Sequence, residues 1–232
     1  MLQACSEQSI TLINDPSVSA LPINESHEPL VDLRGQTIIS LGPSPEIPNN
    51  QDYTKVRKSV YEKLLEAQKL LPVGLRFCLY EGYRSLTLQD RLFKARYAEV
   101  QRAHSAWSHE EIFMETTKLV SPLTNLDGTQ NVPPHSTGAA VDVYLIDENG
   151  NPVDMGMLIK DWIQDVDGSL SLMHSTRISQ QAKNYRNIMS EVLSQVGLVN
   201  YPTEYWHWSY GDRYWAFHKG VGHAMYGSVR NK

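Results

Sequence analysis

Pro133-Pro134-His135-Ser136-Thr137-Gly138-Ala139-Ala140-Val141-Asp142-Val143-Tyr144-Leu145-Ile146 is the stretch on which the reading of this chain turns. Its second half alternates: Val141, Val143 and Leu145 fall on one side of an extended backbone, Asp142 and Tyr144 on the other. That period predicts a strand over 139–146 with an apolar face turned to a core. The first half, with two prolines, reads as the end of a loop over 121–137 that brings His135 to the head of the strand. Gly138 and Ala139 carry no bulky side chain, so the backbone can turn tightly and let His135 and Asp142 converge. Imidazole and carboxylate together suit zinc. Spacing alone does not single out this pair, because His104 and Glu111 stand equally far apart.

Upstream, apolar residues at Val56, Val60, Leu64, Ala67 and Leu71 have the spacing of one helix face, predicting a helix over Tyr53–Leu71 with Asp52 as N-cap. Pro72 and Gly74 end it, and Leu75–Glu81 reads as a strand. Ser85–His104 and Ser108–Leu119 read as two further helices, the second opening with Ser108 and Glu111 as a capping box. Downstream, Asp147-Glu148-Asn149-Gly150 is a turn leading to another strand. Arg177–Val196 is a long helical stretch closed by Gly197. Helices and strands thus alternate irregularly, without internal repeats. The expected fold is α+β, a small, largely antiparallel sheet flanked by helices. Residues 1–50, rich in Ser, Pro, Asn and Glu, read as an N-terminal extension packed on or wrapping a single domain over 51–232.

The chain has 232 residues, 41% hydrophobic and 20% charged, enough to bury a sizeable core. Its net charge is −5 and no Lys/Arg block occurs, so neither nucleic acid nor an anionic membrane is an expected partner. A small substrate fits better than a polyanion, and oligomeric state is left open. The two cysteines, Cys5 and Cys78, read as idle or buried thiols. Met1–Ala20 shows no charged segment followed by an apolar one, and no apolar run is long enough to span a bilayer. A cytoplasmic location is expected, or a periplasmic one if the start is a processed one.

Familiar catalytic signatures are absent: there is no P-loop, no G-x-G-x-x-G and no G-x-S-x-G. His109-Glu110 begins like H-E-x-x-H, but Phe113 stands where the second histidine belongs. Glu204-Tyr205-Trp206-His207 is more unusual, since no other histidine of the chain has an acid three residues before it. His207 is the candidate third ligand. Residues three apart on a regular strand face opposite ways, so a shared role for Glu204 and His207 requires the chain to bend or bulge there.

These segments resemble the S-x-H-x-x-G-x-A-x-D and E-x-W-H motifs of the zinc D-Ala-D-Ala metallopeptidases, which share a fold with lysostaphin-type enzymes and the hedgehog signalling domain. Within that group, Glu81-Gly82-Tyr83-Arg84-Ser85 resembles the D-G-Y-R-P segment of the D-alanyl-D-alanine dipeptidases known from vancomycin resistance. Trp206–Ala216 and Ala224-Met225-Tyr226-Gly227 also resemble that subfamily, so the likeness runs in order from about residue 50 to 227. It implies one Zn2+ per chain held by His135, Asp142 and His207, with Glu204 as general base and Arg84 stabilising the transition state. It implies a small dipeptide as substrate.

Two departures stand out. Pro133 replaces the serine of the first motif, and Met157-Leu158-Ile159-Lys160-Asp161 stands where the family tends to show Phe-Asp, the aspartate that meets the substrate ammonium. Asp161, or else Asp154 or Asp165, is the expected substitute, and Tyr83 is a further candidate for substrate contact. The rival readings are a D,D-carboxypeptidase with an open pocket for an extended chain and a zinc-bearing binding module without turnover. Retention of Glu204 and Arg84 speaks against the latter, since a structural zinc needs neither.

Overall fold

A computed structural model of the chain describes residues 10–45, 47, 49–165 and 167–229. In chain order its elements are α1 (Pro16–Ser19), β1 (Leu30–Asp32), β2 (Ser40–Leu41), β3 (Lys55–Arg57), α2 (Lys58–Leu70), β4 (Arg76–Glu81) and α3 (Leu86–Ala103). Then come α4 (His109–Thr117), β5 (Ala140–Ile146), α5 (Gln180–Gln195), β6 (Val199–Asn200), β7 (His207–Ser209) and α6 (Arg213–Lys219). Cys5 lies outside the described residues; Cys78 is buried and free.

The alternating stretch at 140–146 is the middle of a five-stranded sheet in the order β2-β4-β5-β7-β6. Only β2 runs parallel to its neighbour; the other pairings are antiparallel, giving the expected α+β architecture. Val141, Val143 and Leu145 are fully buried and join Phe77, Leu79 and Trp208 in the main core, closed by Leu64 and Ala67 of α2 and Met189 and Leu193 of α5. Each buried Val, Leu, Phe or Met side chain among these contributes roughly 1.5–3 kcal/mol by leaving water.

Helix starts follow the caps where caps exist. Ser85 accepts from the Leu88 amide at the head of α3, and Ser108 with Glu111 forms a complete capping box on α4. The expected helix from Tyr53 begins instead at Lys58, and Asp52 does not cap it. Lys55–Arg57 pairs with Leu30–Asp32 as a two-stranded ribbon, so Val56 is fixed opposite Val31 before the helix can begin. Helical periodicity cannot register such a pairing, because Val56 is buried in either conformation. Likewise α5 starts at Gln180, capped by Ser179, rather than at Arg177. The strand expected after the 147–150 turn is reduced to a single bridge, Ile146 with Pro152, since proline has no N–H to extend the ladder.

The irregular stretch that follows is held from within by Arg186 of α5. Its guanidinium donates to the carbonyls of Met155, Leu170 and Leu172 and lies 4.0 Å from the Tyr205 ring centroid. Three carbonyls and an aromatic face replace the water that this buried cation has lost.

Candidate metal centre

Three adjacent strands place three polar side chains in one row. Asp142 of β5 lies opposite His207 of β7 on one side and Glu81 of β4 on the other. The second pairing depends on a β-bulge: the register jumps from Leu79 opposite Val143 to Glu81 opposite Asp142, leaving Tyr80 as the extra residue. Without that bulge a tyrosine, not a carboxylate, would stand beside Asp142.

His135 reaches the row from a 3-10 turn at Pro134–Thr137. Gly138 closes that turn at φ +71°, and a Cβ there would lie 2.3 Å from the Leu30 side chain, so the position requires glycine. Arg57 ties the turn down, its amide donating to the Gly138 carbonyl at 2.8 Å and its Nε to the Thr137 carbonyl at 2.8 Å. From the C-terminal side the Val229 amide donates to the Ser136 carbonyl at 2.8 Å.

The bend required near His207 is a turn. The Glu204 amide donates to the Tyr201 carbonyl at 2.9 Å and the His207 amide to the Glu204 carbonyl at 3.2 Å. The Asn200 side-chain amide spans the loop, donating to the carbonyls of Glu204 and His207 at 3.0 Å each. β7 starts only at His207, so the opposite-face rule does not separate the pair, and the Glu204 carboxylate stands 3.7 Å from His207 Nδ1.

The resulting geometry fits a tetrahedral cation. His135 Nε2 and His207 Nδ1 are 3.1 Å apart, and Asp142 Oδ1 lies 3.3 and 3.1 Å from them. Ligands roughly 2.0–2.1 Å from a tetrahedral zinc are separated by about 3.3 Å. His135 Nδ1 faces the Gly82 carbonyl at 2.8 Å, which places the proton on Nδ1 and leaves the Nε2 lone pair turned into the triangle. All three ligand candidates are buried. Among the described residues this is the group of histidine, cysteine and acidic side chains that can converge on one ion.

The charges shift one another. Burial opposes ionisation of Asp142, yet the two histidines outweigh it and hold the carboxyl well below the ordinary carboxylate range. Burial likewise opposes the charged form of His135, but Asp142 prevails and its pKa stands above the usual imidazole value. For His207 burial wins and the shift is downward. Burial, then the charge of Asp142, pushes Glu204 well above its ordinary value, with Arg84 pulling the other way. A raised carboxyl next to an ionised one is the electrostatic pattern of a proton carrier beside a ligand.

Arg84 faces the same cavity. It pairs with the buried Glu81, donates from Nη1 to Gln89 Oε1 at 2.9 Å, and Gln89 in turn donates to the Ser121 carbonyl at 2.7 Å. The ion pair that a surface arginine would form is therefore present, but it is largely buried and lines the same cavity as the candidate ligands. The cavity joins these groups to the apolar walls of Ile13, Leu92, Leu119, Val120, Ile159 and Trp162. The cavity measures about 60 Å3.

Tyr83 and Asp161 do not line the cavity. Tyr83 is buried with its amide on the Lys55 carbonyl at 2.7 Å, and Asp161 lies on the 3-10 turn whose Ile159 and Trp162 form the wall. Asp154 and Asp165 are engaged with the amides of Gly156, and of Leu170 and Ser171, respectively. Gln89 was not among the residues singled out from the sequence. Its signal was there: Gln89, Arg96 and Val100 recur at intervals of seven and four, a buried face of α3 with a polar residue at its N-terminal end.

Residues 47–220 match the D-ala-D-ala dipeptidase family. The chain belongs to that family. A D-alanyl-D-alanine dipeptidase from Synechocystis sp. is 26% identical over 239 residues, spanning 90% of this chain and 95% of the relative. Among solved structures, VanYB in complex with D-Alanine-D-Alanine aligns at TM-score 0.43 and 15% identity, over 82% of this chain and 88% of that one. A Zn(II)-bound mutant of the vancomycin resistance D,D-pentapeptidase VanY aligns at TM-score 0.36 and 15% identity, over 78% and 86%. The motifs that this family member carries at 81–85, 133–142 and 204–207 are the segments that the fold brings to one cavity.

Proposed function

We propose that the chain is a zinc-dependent D-alanyl-D-alanine dipeptidase, with one Zn2+ held by His135 Nε2, Asp142 Oδ1 and His207 Nδ1. The single observation that carries this reading is the convergence of that triangle, the Glu204 carboxylate and the Arg84 guanidinium on one narrow cavity. A zinc held by these three side chains would acidify a water and polarise the scissile carbonyl. Glu204, buried and raised in pKa, accepts the proton of the attacking water and returns it to the leaving amine. Arg84, held by Glu81 and Gln89, offers its donors to the oxygen on which negative charge develops, a role worth roughly 3–4 kcal/mol. The family match and the dipeptidase relative favour the free dipeptide over an extended peptide.

The test is D-Ala release from D-Ala-D-Ala and from N-acetyl-D-Ala-D-Ala, with zinc, with chelator and in Glu204→Gln. Zinc-dependent cleavage of the free dipeptide, lost in the variant, is the expected result. Preferential cleavage of the acylated peptide would make the protein a D,D-carboxypeptidase. Cleavage of neither, with one equivalent of zinc bound, would leave a metal-bearing binding module.

A further inference from the structure

The family match begins at residue 47, yet a residue far upstream of it reaches the catalytic cavity. Ile13 is 8% exposed and belongs to a small second core with Val18, Tyr201 and Tyr214. Tyr201 is itself a cavity wall and meets the His207 ring edge-on at 5.9 Å between centroids. The segment bearing Ile13 is anchored on both sides. The Tyr214 hydroxyl donates to the Thr11 carbonyl at 3.3 Å and Arg213 Nε to the Leu21 carbonyl at 2.8 Å. Beyond α1, the Asn24 amide donates to the Ala224 carbonyl and the Ala224 amide to the Pro22 carbonyl, each at 2.9 Å. A branched, buried side chain on an anchored segment has little freedom to move aside for a longer ligand.

We propose that the N-terminal segment forms one wall of the catalytic cavity and that Ile13 is a specificity-determining residue, limiting the length of substrate the site accepts. The inference rests on the peptidase reading for its substrates, and it assigns a functional role to a part of the chain that the family match does not include. Truncating Ile13 removes apolar bulk from the cavity wall while leaving the metal ligands, Glu204 and Arg84 in place. Discrimination by a single methylene in such a pocket reaches about 10–200-fold, so the change in preference is measurable.

The experiment compares full-length wild type, Ile13→Ala and Ile13→Trp on D-Ala-D-Ala, N-acetyl-D-Ala-D-Ala and D-Ala-D-Ala-D-Ala. Ile13→Ala is expected to raise kcat/KM for an extended substrate relative to the dipeptide by about tenfold or more. Ile13→Trp is expected to raise KM for the dipeptide itself. A wild-type preference in both variants, or a parallel fall on every substrate, would overturn the proposal, since lost stability alone lowers all rates in step. A second arm does not depend on D-Ala substrates: zinc-loaded protein is titrated with acetohydroxamate and octanohydroxamate. The wall predicts that Ile13→Ala strengthens binding of the long hydroxamate relative to the short one, and an unchanged ratio would overturn it. Failure of the dipeptidase reading shows separately, as wild-type protein that cleaves none of the three peptides.

Discussion

On one face of β5, Val141, Val143 and Leu145 are sealed against α2 and α5; on the other, Asp142 is just as deeply buried but stands between His207 and Glu81. The two faces obey different physics. Behind the sheet, burial is favourable residue by residue, and any side chain of similar volume and polarity serves nearly as well. In front of it, burial works against each charge. The row persists because Asp142, the histidines, Glu81 and Arg84 offset one another and, when metal is bound, a divalent cation completes the balance. The front face contributes chemistry at the expense of stability, and the back face supplies what it lacks.

Substitutions can separate the two. Glu204→Gln is expected to lower kcat by about 10^2–10^4 while leaving the melting temperature unchanged or raised, because it removes a general base and neutralises a buried carboxyl. Measured D-Ala release and a thermal melt decide it; a parallel loss of both would erase the distinction between the faces. Arg84→Lys keeps the charge but cannot hold Glu81 and Gln89 with one rigid fork, and is expected to lose about 10^2–10^3 in kcat. Leu145→Ala should do the reverse, costing about 2–5 kcal/mol in denaturant unfolding with kcat per folded molecule unchanged.

Protons also set the two faces apart. Asp142 outweighs burial to keep His135 above its ordinary pKa, so the metal-free site retains a proton on His135 where a free imidazole, near pH 6.5, has begun to lose it. Zinc must displace that proton. Affinity is expected to fall about tenfold per pH unit once pH drops below the raised His135 value, with one proton released per zinc bound. Calorimetric titrations in buffers of different ionisation heat would show the release, and a constant affinity between about pH 8 and 5 would contradict the coupling. The smallest effect lies far from the site: Ser108→Ala should cost about 1 kcal/mol through the lost cap of α4 and leave kcat untouched.

What could be read in advance divides along the same line. The back face announces itself by period, and helices α3 and α4 announce their starts by caps, so both were legible to within a residue or two. The start of α2 was not, because the ribbon of β1 with β3 joins residues about 25 positions apart, a pairing that local periodicity does not reveal. The three candidate ligands were legible through residue chemistry and family likeness, and they do lie together. The devices that aim them were not: the bulge at Tyr80, the turn between Tyr201 and His207, and the reach of Ile13 into the cavity are long-range consequences of packing. Neither Asp161 nor Tyr83 lines the cavity: the loop after Met155 that bears Asp161 is held by Arg186 rather than by a motif of its own, and the Tyr83 amide is fixed on the Lys55 carbonyl.

X-ray absorption at the zinc edge reports directly on a zinc bound by His135, Asp142 and His207. One zinc per chain is expected, with two imidazole nitrogens and carboxylate and water oxygens at roughly 2.0–2.2 Å, and loss of that signature in Asp142→Ala. Sulfur at about 2.3 Å, or an unaltered spectrum in the variant, would contradict it.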